Sequence, residues 1–261
     1  MPKAHIVLAH PEPQSYSGHL ARTAQGALQA AGYEVTLTDL YTIGFDPSEG
    51  PLHFSQRKHR ERFEAATEQR HAFERGTLAP QVRDELDRIE NSDLLVLQFP
   101  LWWFGPPAIL KGWIDRIFVW GGVYTSNMRF DTGKFRGKRA IVSAVGGGEA
   151  EGFELGGRNG HLMQYLWPVH YSLHYVGYSV LEPLAIYGVG GWSPEDVAAD
   201  ETARLGRHAE TVAVAMQENA SRPTLPFNTQ QDWTAEGALK PGREDPGPFV
   251  YRPGTKSGKT A

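Results

Sequence analysis

Three short stretches hold the residues that could do chemistry, and their types complement one another. The first is His10-Pro-Glu-Pro-Gln-Ser-Tyr-Ser-Gly18, with hydroxyls on Ser15, Tyr16 and Ser17 at the expected start of a helix. Hydroxyls and backbone N–H groups at a helix N-terminus suit a phosphate, and Ser17 is equally a candidate for the helix cap. The second is Pro100-Leu-Trp-Trp-Phe-Gly105, which sets Trp102, Trp103 and Phe104 in a row. Aromatics in a loop directly after a buried strand make poor core filler, because a buried loop must still satisfy its backbone. They make a flat, π-rich wall instead. The third is Gly146-Gly147-Gly148, where backbone N–H groups can approach a ligand closely because no Cβ intervenes. A phosphate site, an aromatic wall and a glycine loop together describe a seat for a planar, phosphorylated cofactor.

Other chemistries find no support. No G-x-G-x-x-G follows the first apolar run, and neither a P-loop nor a G-x-S-x-G elbow is present. The chain has no cysteine, which excludes disulfides, thiol catalysis and Cys-based metal or Fe–S sites. His170 and His174 have the i,i+4 spacing of a helical metal pair, but no Glu stands between them as in H-E-x-x-H. Helix packing is their expected role, and no metal site is expected. The net charge of -4 points to neither nucleic acid nor an anionic membrane as partner. Arg57, Arg60 and Arg62 are interleaved with Glu61, Glu64 and Glu68 and read as a solvated face. No run approaches about 18 apolar residues, so no membrane insertion is expected. The apolar segment near Met1 is too short for a signal peptide, and a cytoplasmic location is the expectation.

The elements that must position these loops alternate between strand and helix. With 261 residues, 40% of them hydrophobic, the chain can build one large α/β domain. His5 to Ala9 reads as a buried strand, followed by a helix to about Ala31 that Gly32 stops. Glu34 to Leu40 is a second strand, and 41–56 is loop. Residues 57–75 read as a charged helix, and Val82, Leu86 and Ile89 mark another. Leu94 to Phe99 is apolar without alternation, the pattern of a strand covered on both faces. Pro106 and Pro107 suit a helix start, with Ile109, Leu110, Trp113, Ile114 and Ile117 on one face and Lys111 paired with Asp115 on another. Arg139 to Val145 is a strand, Leu162 to about His174 a helix, and Val180 to Tyr187 an edge strand interrupted by Pro183. A last helix starts at Pro194 and runs to about Asn219. The expected fold is α/β, a flavodoxin-like doubly wound sheet of five parallel strands with helices on both faces. In it the three loops leave the carboxyl ends of strands and converge on one crevice. The domain spans 1–219, and 220–261 is an irregular extension. Its Phe227, Trp233, Phe249 and Tyr251 suggest partial packing, with a disordered end.

Three blocks also resemble a known family. Ala9-His-Pro-Glu-Pro-Gln-Ser-Tyr-Ser-Gly18, Gln98-Phe-Pro-Leu-Trp-Trp-Phe-Gly-Pro-Pro-Ala-Ile-Leu-Lys-Gly-Trp113, and Leu166-Trp-Pro168 with His174-Tyr-Val-Gly177 are similar to the NAD(P)H:quinone oxidoreductases, the DT-diaphorase-like flavodoxin-fold family. The order of blocks matches over about residues 4–218 and does not cover the tail. The resemblance implies non-covalent FAD, NAD(P)H as co-substrate, a quinone or related small aromatic acceptor, and a ping-pong exchange of the two over one flavin face. It also implies a homodimer with shared sites. By position, His10, Ser15, Tyr16 and Ser17 would hold the pyrophosphate region. Pro100, Leu101, Trp102, Trp103 and Phe104 would wall the isoalloxazine ring, and Gly147 and Gly148 would meet its polar edge. Trp103, Phe104, Tyr124 and Asn159 would line the substrate pocket, with Tyr175 of a second subunit facing Tyr124.

The family's pattern is not fully kept. Phe153 and Asn159 occupy the places where a Tyr and a His settle charge near the ring, so a proton relay through that His cannot operate here. With Tyr124 they are the positions where catalytic residues are expected. Val145-Gly146 replaces a threonine pair, and no Arg stands near Ala198, where Arg204 and Arg207 are the nearest substitutes. No residue selects between NADH and NADPH. Two rival readings of the same residues are an FMN-dependent azo or nitro reductase and a flavin-binding regulatory subunit of a membrane transporter.

Overall fold

The computed structural model describes residues 1–190, 199–244 and 247. Six strands form one parallel sheet: β1 (Lys3–Leu8), β2 (Glu34–Asp39), β3 (Leu94–Pro100), β4 (Arg139–Val145), β5 (Ser179–Val180) and β6 (Leu184–Ile186). The order is β2-β1-β3-β4, with β5 and β6 sharing the fifth position beside β4. This is the flavodoxin-like doubly wound arrangement. The expected last strand is two pieces because Pro183 lacks the N–H that a continuous ladder needs.

Helices cover both faces, as the unbroken apolar strands require; every residue of β3 is buried. Helix α1 (Tyr16–Ala30) and α6 (Ala199–Gln217) pack on one face over Ile6, Leu8, Val96 and Ile141. On the other face, α3 (Pro80–Glu90), α4 (Ala108–Ile117) and α5 (Leu162–Tyr175) cover Val7, Leu97, Phe99 and Val142. Helix α2 (Ala65–Arg75) lies beside them and adds Phe73 to that core. In α4 the residues predicted to be buried are buried, and Lys111 meets Asp115 at 2.6 Å. Under α3, Glu85 is fully buried and accepts hydrogen bonds from Thr38 at 2.7 Å and the Trp113 indole at 2.8 Å. No helix among the described residues is long and apolar enough to cross a membrane.

One element boundary differs from expectation. The helix predicted over 57–75 begins only at Ala65. The chain before it is irregular because the Glu68 carboxylate, 1% exposed, accepts the N–H groups of Lys58 at 2.7 Å and His59 at 3.0 Å. A buried acceptor thus holds the segment in a turn that charge patterning does not reveal. The start of the last helix at Pro194 lies outside the described residues, and α6 ends at Gln217.

Parts of the described extension contact the domain. Leu225 N–H bonds Val180 O at 2.8 Å and Glu182 N–H bonds Pro223 O at 2.9 Å, so the extension covers the open edge at β5. Phe227 then stacks flat on His174, centroids 4.2 Å apart. Gln230 N–H reaches the Asp131 carboxylate at 3.0 Å. Phe249, Tyr251 and the chain end lie outside the described residues.

Candidate active site

Parallel strands deliver their carboxyl ends to one side of the sheet, and the register fixes what meets there. Pro100, Val145 and Ile186 are neighbours across β3, β4 and β6. The loops that follow β1, β3 and β4 close around a crevice of about 490 Å³. His10, Ser15, Tyr16 and Ser17 line it from one side. Pro100, Leu101, Trp102 and Gly147 line it from the other. Eight of the residues expected to hold the cofactor are therefore brought together.

The α1 end of the crevice is preorganised. Ser15 Oγ accepts the Gly18 N–H at 3.1 Å, so Ser15 is the helix cap and the cap reading of Ser17 does not hold. The cap falls two residues earlier because the helix begins at Tyr16. Ser17 sits in the first turn, 2% exposed, on the crevice wall. The helix dipole adds partial positive charge at this end. The Tyr16 phenol turns away and donates to Leu205 O at 2.5 Å, tying α1 to α6. His10 Nδ1 accepts the Glu12 N–H at 3.0 Å, which leaves Nε2 to carry the proton and donate. Burial lowers the pKa of His10, so the ring is neutral at pH 7.

The aromatic loop is a two-residue hairpin. Trp102 N–H bonds Gly105 O at 2.9 Å and Gly105 N–H bonds Trp102 O at 3.1 Å. Trp103 and Phe104 at its tip have φ of 49° and 60°, the left-handed values that such turns normally assign to Asn-Gly. Bulky side chains there cost about 1–3 kcal/mol each, a strain that clusters at functional sites. The aromatics are not core filler: Trp102, Trp103 and Phe104 are 42%, 96% and 50% exposed. Trp102 sets its edge against the His10 ring at 5.7 Å, and Phe104 contacts Tyr165 at 4.9 Å.

The glycine loop is stitched to the chain after β6. Gly146 N–H bonds Ile186 O at 2.7 Å, and Gly188 N–H bonds Gly148 O at 2.7 Å. A Cβ on Gly148 would lie 3.0 Å from Asn159 Nδ2 and 3.1 Å from the Phe153 ring. The absence of a side chain is thus what lets Phe153 and Asn159 close over this loop. Phe153 is buried and stacks on Tyr187 at 5.5 Å. Arg204 pairs with Glu149 at 3.0 Å and donates to Gly188 O, which puts it at the rim of this loop. Arg207 lines a different groove, on the outer face of α6. The position near Ala198 lies outside the described residues.

The rings of Tyr124 and Tyr175 meet within one chain at 5.5 Å. The cause is backbone packing: a Cβ on Gly133 would lie 2.6 Å from the Gly177 backbone, so the end of α5 is pressed onto the 124–133 segment. Phe130 and Trp120 complete the cluster. No ring contact among the described residues joins it to Trp103, Phe104 or Phe153. The histidine pair on α5 is also placed. His170 is fully buried with neither ring nitrogen hydrogen-bonded, and His174 lies flat on Phe227.

Sequence reasoning missed Glu12, Val189 and Gly190 on the crevice wall and Tyr165 behind Phe104. Glu12 could have been found from its place between two prolines in the first loop. Val189 and Gly190 follow β6, whose break hid the loop. Tyr165 has no local signal, since its ring partner Phe104 comes from a loop distant in sequence.

The comparisons with known proteins agree with this geometry. The model of the flavodoxin-like fold family matches residues 2–211. NAD(P)H dehydrogenase [quinone] 1 of Cavia porcellus is 38% identical over 212 residues, 80% of this chain and 77% of that protein. Ribosyldihydronicotinamide dehydrogenase [quinone] of Homo sapiens is 37% identical over 183 residues, 69% of this chain and 79% of that protein. A crystal structure of a candidate quinone reductase from Klebsiella pneumoniae shares 31% identity with a TM-score of 0.83, covering 94% of this chain and 97% of that one. The chain is an enzyme of the flavodoxin-like fold family and belongs, within it, to the NAD(P)H dehydrogenases (quinone).

Proposed function

We propose that the chain holds FAD without a covalent bond in the crevice and transfers two electrons from NAD(P)H to a quinone by a ping-pong mechanism. The observation that carries the reading is the convergence of a capped helix N-terminus, a strained aromatic hairpin and a glycine loop on one crevice. The residues present fit the cofactor. The first turn of α1, with Ser17 and the His10 Nε2–H, offers donors to phosphate oxygens. Pro100, Leu101 and the hairpin aromatics offer a flat apolar wall to the ring system. Gly147 and Gly148 open backbone donors along its edge.

A bound flavin supplies the hydride chemistry, and the protein supplies binding, orientation and electrostatics. Trp103 and Phe104 stand exposed at the hairpin tip, next to Trp102 on the crevice wall, and one aromatic hairpin supports successive rather than simultaneous occupancy by nicotinamide and quinone. Asn159 offers an amide donor over Gly148 and Gly152, and can hydrogen-bond the polar edge of a ligand there but cannot shuttle a proton. Phe153 keeps water from that edge. A wall with one face open also supports a dimer. Trp103 is almost wholly exposed while Tyr124 and Tyr175 are half-buried in one cluster. A two-fold arrangement that seats one chain's tyrosine cluster over the other's hairpin gives two composite pockets.

The test is chemical and kinetic. Denatured protein should release FAD, and release of FMN would overturn that part of the reading. Initial rates with varied NAD(P)H and quinone should give parallel double-reciprocal lines. Intersecting lines would show both substrates bound together and would contradict successive occupancy.

A further inference from the structure

We infer that Tyr165 is a positioning residue of this site, clamping the aromatic hairpin and the Asn159 loop to a common post on α5. The inference rests on the reading above. Tyr165 belongs to neither loop, yet both end on it. Its hydroxyl donates to Asn159 O at 2.5 Å, and its ring meets the Phe104 ring at 4.9 Å. Gly160 shows how specific the seat is: a Cβ there would lie 2.1 Å from the Tyr165 hydroxyl. Gly160 also has φ of 76°, so it turns the chain in the left-handed region while leaving the hydroxyl room to reach the preceding carbonyl.

The two contacts do different work. Phe104 has a left-handed backbone and half its surface exposed, so its own loop does little to fix the ring. The Tyr165 ring is the aromatic surface that does so. Asn159 is held by its N–H to Gly152 O at 2.9 Å and by its carbonyl to Tyr165. With both bonds in place, its side-chain amide lies over Gly148 and Gly152. The hydroxyl of Tyr165 therefore sets the amide on the polar side of the pocket, and the ring sets the aromatic wall. Both are carried on one helical residue, so wall and amide keep a fixed separation.

Tyr165→Phe and Tyr165→Ala separate the two contacts, studied in the purified protein with its bound flavin. Tyr165→Phe keeps the ring and loses the hydroxyl. Hydrogen exchange across residues 154–161 should speed up about two- to tenfold, the worth of one hydrogen bond. The KM for quinone should rise by a similar factor, with kcat and the flavin dissociation constant within about twofold of wild type. Tyr165→Ala should also weaken flavin retention, because Phe104 loses its support. Unchanged exchange in Tyr165→Phe, or equal flavin loss in both variants, would overturn the inference. A wild-type protein without flavin or quinone reduction would instead sink the proposed function, and the exchange comparison would still decide what Tyr165 holds.

Discussion

At the residue scale, burial decides chemistry more than identity does. His170 is fully enclosed, and burial alone holds its pKa at about 4. A histidine in the unfolded chain titrates near 6.5, so between those values the unfolded chain binds the extra proton. Stability is full above about pH 6.5 and falls as the pH drops toward 4. Glu85 acts in the same direction lower down. Burial alone would raise its pKa, but hydrogen bonds from His5, Thr38 and Trp113 outweigh it and hold the group at about 2. Its contribution is present above pH 4.5 and is lost as the pH falls toward 2. His170→Gln should reduce the stability lost between pH 7.5 and pH 5 by about 2 kcal/mol in urea titrations. An unchanged loss would show that His170 is solvated in the native state. The sequence shows where these histidines sit on a helix face but not how deeply they are covered. Burial is set by neighbours distant in sequence, such as Phe227 over His174.

At the scale of elements, the site is a set of loops held to the right places by a stiff sheet. The strands were legible because a parallel sheet covered on both faces demands unbroken apolar runs, and Leu94 to Phe99 is one. The convergence of three loops follows from that topology. What could not be read was set by single contacts. Glu68 turns the segment before α2 by accepting two backbone N–H groups, and charge patterning looks the same with or without that turn. The cap of α1 moved from Ser17 to Ser15, because both have the right chemistry and only the backbone chooses. The hairpin is the element where local propensity and function conflict. Asn-Gly in place of Trp103-Phe104 would suit its left-handed φ values. That double substitution should raise stability by about 2–6 kcal/mol, less about 1 kcal/mol for the lost Phe104–Tyr165 ring contact, while abolishing flavin-dependent turnover. Calorimetry and a quinone reduction assay read the two effects. Loss of stability would show that the hairpin is not strained.

At the scale of the whole molecule, the extension and the tyrosine cluster shape the surface that a second copy would meet. Phe227, Trp167, Tyr171 and His174 form one aromatic seam between the extension and α5. This seam fixes the outer face of α5 near Tyr175. If pockets are shared, Trp103→Ala and Tyr175→Asp should each inactivate the enzyme alone. A mixed dimer of the two should regain about half the activity per dimer, because one pocket collects both lesions and the other collects none. No recovery would show that each chain builds its own site. All of this depends on one claim, that the crevice between α1, the aromatic hairpin and the glycine loop seats a redox-active flavin. The direct measurement is the visible absorption spectrum of the purified protein under anaerobic conditions, before and after NAD(P)H and again after a quinone is added. The expected result is a yellow protein that bleaches with NAD(P)H and regains its colour with quinone. A colourless protein that also fails to take up added FAD or FMN would contradict it.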